Sequence, residues 1–544
     1  MSTQTLYAGG RGIAAEVVKE GRRLWVTARR GPLTAELRAM KGAKWHPERK
    51  AWAVSDCPRN ALQFALLRGE LPEEIARYDR PLARVEPIRK CLRPHQRDML
   101  DFLLGRKRCV LAAEMRTGKT LTVIEGMDAV GGSWIYCAPA GVLAAIELEL
   151  EKWDASTRPL LVSHAKLADT LAEWEGPAPA GFVFDESSRL KNPTAVKTKA
   201  AQHLANAIRE EHDGYVWLLT GTPEPKEPPD WWAPAEIACP GFLRESSRAK
   251  LEQRMAVYVQ RDDFREVVGW KEREQENLAQ RLVGLVHVVL FADVFPNVPP
   301  IRHELIECPP PEDMKRAARL VANTSATAVE TLNRLRQLSD GFAYAEDGNA
   351  TRGPTPKDDA LQRLLVNAEC VAYRLDPAHS GGRCLMCWRA EADHVRRPRV
   401  VIYTGFRDSC DRVVELCRDE GWQVVRRDGR GWLNTLGVSD ADALREFDRE
   451  LASDPRPIAF VGNPGSGGMG LTLSAASWVA YYSQDFNGES RMQSEVRAVS
   501  SGRTVGPLVY DLCCLPTDRL VLRNLRGKKK RQKFTMEEIQ GALA

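Results

Sequence analysis

The sequence predicts an α/β protein with parallel sheets, and three observations carry that expectation. Short apolar runs at 108–114, 181–184 and 217–220 each end in a polar or glycine-bearing turn, as strands buried on both faces do. A helical pattern follows the first of them at 121–130, and a second strand-then-helix run stands far downstream at 397–417. Strand and helix therefore alternate in both halves of a chain of 544 residues, which is too long for one ordinary core.

Composition narrows the class. A hydrophobic content of 43% with 28% charged residues is that of a water-exposed globular chain. No run approaches the roughly 18 uninterrupted apolar residues of a membrane span. The start, MSTQTLYAGGRG, lacks the charged-then-apolar layout of a signal peptide, so a cytoplasmic location is expected. The net charge of +5 is mild, but it is unevenly spread. Residues 19–50 hold ten Lys or Arg against three Glu, and 523–533 (RNLRGKKKRQK) hold seven basic residues and no acid. Basic ends on a balanced middle suit a polyanion, with a solvated basic face as the alternative. The 13 cysteines are scattered, as reduced thiols are, apart from a cluster near 370–394.

The chemistry is concentrated in the first half. LRPHQRDMLDFLL (92–104) reads as a helix opened by a proline, then comes the apolar run RCVLAAE, then MRTGKT and the helical LTVIEGMDAV. Strand, loop, helix with Gly118-Lys119-Thr120 at the junction is the layout of a phosphate-binding loop, in which backbone N–H groups turn onto the phosphates. Lys119 is placed to reach the β/γ-phosphates and Thr120 to put its hydroxyl on Mg²⁺, while Ala113 stands where the loop's first small residue belongs. Sixty-six residues after Lys119, the strand GFVF ends in Asp185-Glu186, a carboxylate pair suited to holding Mg²⁺ and orienting a water. A third apolar strand, WLLTGTPEP (217–225), delivers Thr220 and Thr222 to a glycine turn.

GKT, apolar-DE and LTGTP in this order resemble motifs I, II and III of helicase superfamily two. AEMRTGKT and DESSRLKN are similar to the Swi/Snf forms of the first two, which read close to DEMGLGKT and DEAHRIKN. LRPHQ resembles that family's Q motif, with Gln96 at the adenine-reading position, and YCAPAGVLAAIELELEKW (136–153) resembles its next conserved segment. Ser187 and Ser188 stand where the family's pattern has its third and fourth residues, a departure that touches the coupling of nucleotide to DNA. The resemblance implies two RecA-like lobes, ATP with Mg²⁺, and DNA held mainly through its phosphates. It implies nucleotide contacts from Arg93, Gln96, Ala113, Met115, Arg116, Thr117, Gly118, Lys119, Thr120 and Asp185.

It continues through the second half. TLNRLRQLSDGF (331–342) resembles the stretch before the second lobe, RPRVVIYTGFRDSCDRVVELC (397–417) motif IV, and the Gly-rich turn 467–473 motif V. Gly470 there and Gln493 in motif VI are implied nucleotide contacts. Motif VI departs from the family: a glutamine, an arginine four residues later and a second arginine three beyond become Gln493, Arg497 and Ser500. Arg497 and Arg503 are the remaining candidates for the finger that neutralises transition-state charge, an effect worth roughly 10³–10⁵ in rate.

Two further segments stand apart. RLWVTAR (23–29) alternates like a strand, LTAELRAMKGA is helical, and 44–54 turns between Trp45 and Trp52, a layout similar to the HARP module of annealing helicases. Aromatics among Arg and Lys suit stacking on DNA; a small basic domain with a tryptophan core is the other reading. In the second, Cys384 and Cys387 form a CxxC flanked by His379 and His394, with Cys370 as a substitute, which fits either zinc or ordinary thiols. The expected organisation is a HARP-like module at 1–85, a first lobe with a helical insertion at 86–300 and a helical linker at 301–355. A second lobe at 356–515 with an insertion at 370–395, and a basic C-terminal brace at 516–544, complete it. The expected function is an ATP-dependent DNA translocase acting on duplex, forked or single-stranded DNA in replication, recombination or repair. A non-catalytic ATP-binding scaffold and a motor subunit of a restriction or recombination complex are the alternatives.

Overall fold

The computed structural model describes residues 2–8, 11–28, 32–89, 91–221, 227–260, 265–325, 327–344, 350–368, 398–448, 456–465, 471, 473–484, 486–499 and 506–526. They fall into two compact units, Met1–Val294 and Phe295–Ala544.

The first unit is built on a six-stranded parallel sheet. Its order is Val286–Val289, Arg108–Ala113, Tyr215–Thr220, Gly181–Phe184, Trp134–Ala138, Leu160–Ser163. The strands read as continuous apolar runs because both faces are covered. Val216 and Leu218 face one buried cluster with Phe182 and Phe184, while Trp217 and Leu219 face another with Val183 and Tyr136. Trp217 is fully buried and donates its indole N–H to the Leu103 carbonyl at 3.1 Å. A Cβ added at Gly126 would come within 2.7 Å of its ring, so this glycine lets the helix Lys119–Val130 lie close on the sheet.

An antiparallel five-stranded sheet precedes it, ordered Ser2–Ala8, Arg11–Glu20, Arg23–Ala28, Ala51–Ser55, Lys44–His46. The expected strand at 23–29 and helix near 33–43 are present as Arg23–Ala28 and Leu33–Ala39. The hairpin Ser2–Ala8/Arg11–Glu20 is an addition, and the turn between Trp45 and Trp52 is a second hairpin that pairs these two residues directly. Side-chain alternation sorts the tryptophans. Trp52 shares the helix-covered face with Val26 and Val54, whereas Trp25 points to the opposite face beside His46, their ring centroids 4.9 Å apart.

This module is sewn into the first unit. Arg59, 3% exposed, pairs with Glu236 of the helix Trp232–Ala238 and donates to the carbonyls of Leu243 (3.0 Å) and Glu245 (2.6 Å). Tyr78 donates its hydroxyl to the carbonyl of Arg108 on the strand that leads into GKT, at 2.6 Å.

The second unit carries a seven-stranded sheet, ordered Arg302–Glu307, Leu508–Cys513, Trp478–Tyr481, Arg399–Tyr403, Ile458–Gly462, Gln423–Asp428, Gly431–Asn434, parallel except for the last hairpin. The stretch 301–355, expected as a helical linker, instead gives this sheet its edge strand Arg302–Glu307 and packs Met314, Ala318, Leu332 and Leu335 into the second core. An edge strand is wet on one side, and RHELIE lacks the apolar run by which the inner strands declare themselves. Beneath it, the fully buried Lys357 ammonium lies 2.9 Å from Asp340 and 3.2 Å from Asp518, tying the helix Pro356–Val366 to the C-terminal helix Pro516–Arg526. Paired on both sides, that charge avoids the penalty of an isolated buried cation.

Candidate nucleotide site

Three loops meet at the C-terminal edge of the first unit's sheet, where open parallel sheets bind ligands. Thr220 stands level with Ala112, and Leu218 level with Phe184, so the turns after Ala113, Phe184 and Thr220 emerge side by side. Gly118 takes φ +87°, a left-handed conformation suited to glycine, and hands the chain to the helix beginning at Lys119. That helix start brings backbone N–H groups and the positive end of a helix dipole together, the elements of an anion site.

Lys119 lies across the loop, its ammonium 2.5 Å from the carbonyl of Ala113 and 3.2 Å from that of Glu114. Thr117 donates its hydroxyl to the Glu114 carbonyl at 2.7 Å, and Glu114 itself takes a 2.6 Å hydrogen bond from the Phe291 amide, so the loop is braced at its start. Gln96, buried at the start of the helix Pro94–Arg106, accepts from the Arg93 amide at 2.9 Å and sets its amide nitrogen 3.4 Å from the Gly118 carbonyl. His95 lies 2.9 Å from the Thr117 carbonyl. Gln96, Gly118 and Lys119 thus lie together around one loop; Thr120 is the next helical residue and half-buried.

Asp185 follows its strand directly, its amide donating to the Cys137 carbonyl at 2.8 Å. Glu186 then takes φ +55°, uncommon for a residue with a side chain, and turns the chain into a short 3₁₀ helix over Ser187–Leu190. Opposite lies Gly221: a Cβ there would sit 3.3 Å from the Met115 side chain and 3.7 Å from Glu186 Oε1. Met115 of the phosphate loop and Glu186 therefore flank the same glycine.

His164 is a site residue that the sequence reading missed. Its Nε2 is 2.9 Å from the Asp185 carbonyl, which can only accept, so Nε2 carries the proton. The ring stacks on Phe184 at 4.4 Å, and burial pushes its pKa down to about 4, which keeps it neutral at ordinary pH. A backbone carbonyl 21 residues away leaves no mark in the sequence around His164.

In the second unit Gln493 is buried in the helix Gly488–Val496, and Arg497 is half-buried at its C-cap. Arg491, in the same helix, is locked between Asp511 (2.8 Å) and Glu495. Thr222, Gly470, Ser500 and Arg503 lie outside the described residues, as do Cys370, His379, Cys384, Cys387 and His394 of the proposed zinc knuckle. Among the described residues no group of three or more His, Cys, Asp or Glu is disposed to hold a metal ion, and no helix is long and apolar enough to cross a membrane.

A parallel α/β unit with a phosphate loop, a strand-end Asp-Glu pair and a glutamine closing the cradle defines the class as a RecA-like nucleotide-site protein, with a second α/β lobe of the same kind. No family model matches the chain. It is 22% identical over 527 residues to "DNA repair and recombination protein RAD54B" of Gallus gallus, covering 84% of this chain and 55% of the relative. It is 22% identical over 535 residues to "DNA repair protein rhp54" of Schizosaccharomyces pombe, covering 83% and 59%. A shorter stretch of 152 residues, 26% of this chain and 10% of the relative, is 30% identical to "CHD3-type chromatin-remodeling factor PICKLE" of Arabidopsis thaliana. The chain thus spans little more than half the length of the two Rad54-type relatives and far less of the third. Among solved structures, the Sulfolobus solfataricus SWI2/SNF2 ATPase core in complex with dsDNA overlaps 85% of this chain and 96% of its own, at 18% identity and a TM-score of 0.36. That superposition is too loose to add to the fold read from strand order. The sequence likenesses span most of the chain, which along that length is similar to Rad54-type and SWI/SNF-type proteins.

Proposed function

We propose that the chain is an ATP-hydrolysing motor that moves on DNA. The observation that carries this reading is the convergence of Gln96, Gly118, Lys119, Asp185 and Glu186 at one sheet edge, in a chain similar to Rad54-type DNA repair proteins along most of its length. The cradle fits a nucleoside triphosphate: a helix N-terminus faces it, a lysine ammonium is held over the loop, and a Cβ at Gly118 would collide with Gln96. Thr120 and Asp185 would hold Mg²⁺, which when bound screens the phosphate charge. Lys119 binds the β/γ-phosphates, Gln96 reads the base, and Glu186 orients the attacking water and takes its proton. His164 fixes the peptide between Asp185 and Glu186. Arg497 and Arg503 keep their proposed role from the motif resemblance.

DNA would be held mainly through its phosphates, with little sequence preference. The N-terminal module, proposed as HARP-like, would favour branched or single-stranded DNA in replication, recombination or repair, in a bacterial or phage setting. Zinc in the insertion is read from spacing alone; elemental analysis of the purified protein would return about one Zn per chain if that reading holds.

The deciding experiment is ATP turnover measured in parallel without DNA and with single-stranded, duplex and forked DNA. DNA-stimulated turnover supports the motor. ATP binding with no turnover on any DNA supports the scaffold reading, to which Ser500 in motif VI lends weight. Turnover only after co-purification with a larger assembly supports the subunit reading.

A further inference from the structure

The phosphate loop reads Ala113-Glu114-Met115-Arg116-Thr117-Gly118-Lys119-Thr120, and Arg116 takes φ +64°. That left-handed backbone is one that residues with a Cβ rarely adopt and that glycine adopts freely. Backbone strain of this kind persists where the surroundings over-determine it, and it clusters at functional sites. The chain thus keeps a long cationic side chain at a loop position where glycine would be the relaxed choice. Met115, the immediate neighbour of Arg116, touches the position where Gly221 would carry a Cβ, and Glu186 Oε1 flanks the same point at 3.7 Å. Arg116 directly follows the residue that, with Glu186, flanks Gly221, and it stands three residues before Lys119. Meanwhile the motif VI position at which an arginine is expected holds Ser500.

We propose that Arg116 is a catalytic residue: its guanidinium supplies, from within the phosphate loop, the cation that stabilises charge gathering on the γ-phosphate during hydrolysis. The step balances without further reagents. A water oxygen bonds to the γ-phosphorus as the bond to the β–γ bridging oxygen breaks. ADP leaves with that electron pair, the water's proton passes to Glu186 and then to solvent, and Arg116 keeps its charge throughout. The inference rests on the nucleotide-site reading above.

The test compares Arg116→Gly, Arg116→Gln and Arg116→Lys with the full-length protein, reading kcat, KM for ATP, melting temperature, and affinity for ADP with and without aluminium fluoride. Removing one preorganised transition-state donor costs on the order of 100-fold in kcat. Arg116→Gly and Arg116→Gln should each lose about that much, with KM changed far less. The melting temperatures separate a loss of fold from a loss of chemistry, and glycine at this position suits the left-handed backbone. Affinity for ADP–aluminium fluoride, a transition-state mimic, should fall much more than affinity for ADP. Arg116→Lys should recover part of the rate. Turnover of Arg116→Gly within about threefold of wild type, or equal loss of ADP and ADP–aluminium fluoride affinity, overturns the proposal. Failure of the site reading itself looks different: Lys119→Ala would then hydrolyse ATP at the wild-type rate whatever Arg116 does.

Discussion

Gln96 packs so closely on Gly118 that a methyl group added to the glycine would come within 2.1 Å of the glutamine's Nε2. Gly118 also sits at φ +87°. Gly118→Ala therefore carries two penalties, a left-handed backbone and a clash with the residue proposed to read the base. A stability loss of roughly 1 kcal/mol or more is expected, with ATP binding weakened at least tenfold as Gln96 is pushed aside. Isothermal titration and thermal melting measure the two effects separately. Normal ATP affinity in a folded Gly118→Ala protein would show that Gln96 has no part in binding.

Lys119 and Glu186 separate binding from chemistry. Lys119→Ala removes the ammonium that spans the loop from the Ala113 and Glu114 carbonyls, so turnover should vanish while melting stays near wild type. Glu186→Gln keeps the side chain's shape but removes its capacity to accept a proton. It should bind ATP and fail to hydrolyse it, by 100-fold or more. Turnover in Glu186→Gln equal to wild type would rule out Glu186 as the group that handles the water.

Much of this site was legible in the sequence because its signals are local. Apolar runs covered on both faces gave the inner strands, and Gly118-Lys119-Thr120 and Asp185-Glu186 sit where those runs stop. Edge strands were harder: Arg302–Glu307 carries polar side chains on a wet face, and its partner Leu508–Cys513 lies far along the chain. Backbone handedness was harder again. A positive φ is usually announced by glycine or asparagine, and neither Arg116 nor Glu186 announces it. The seam between the N-terminal module and the lobe was invisible because it rests on Arg59 and Glu236, 177 residues apart.

That seam makes deletion of residues 1–85 a poor way to isolate the motor, since it would strand Glu236 without Arg59 and remove Tyr78 from the Arg108 carbonyl. Arg59→Ala alone is expected to cost about 3–5 kcal/mol, the usual effect of leaving one buried charge unpaired. Burial raises the pKa of Glu236 even with Arg59 present, and the guanidinium opposes that rise. Without the arginine the pKa climbs further above its unfolded value. Stability tied to such a raised carboxyl is present at low pH and lost as pH rises through the folded pKa. The deficit of Arg59→Ala relative to wild type should therefore shrink as pH falls from neutral towards 5. Chemical denaturation at several pH values checks it; a deficit that stays constant or grows on acidification contradicts the assignment to Glu236.

The N-terminal sheet offers the sharpest test of DNA contact outside the nucleotide site. Trp25 lies half-exposed on the face opposite the helix-covered core, with the Arg49 guanidinium 4.2 Å above its ring and His46 beside it. Trp52, by contrast, packs against Val26, Val54 and the module's helices, so it answers for the fold. Base stacking on an exposed aromatic is worth roughly 1–3 kcal/mol per base. Trp25→Ala should accordingly weaken binding to single-stranded and forked DNA about 5- to 100-fold, with melting and DNA-free ATP turnover near wild type. Arg49→Gln should weaken binding less and lower the slope of log K against log salt by about one, as expected for one lost phosphate contact. Trp52→Ala should behave differently, lowering the melting temperature before it lowers DNA affinity. Fluorescence anisotropy across a salt series, with single-stranded, forked and duplex DNA, resolves all three. If folded Trp25→Ala and Arg49→Gln proteins bind every DNA as the wild type does, this face is a solvated basic surface, and the DNA contacts proposed for the chain lie elsewhere in it.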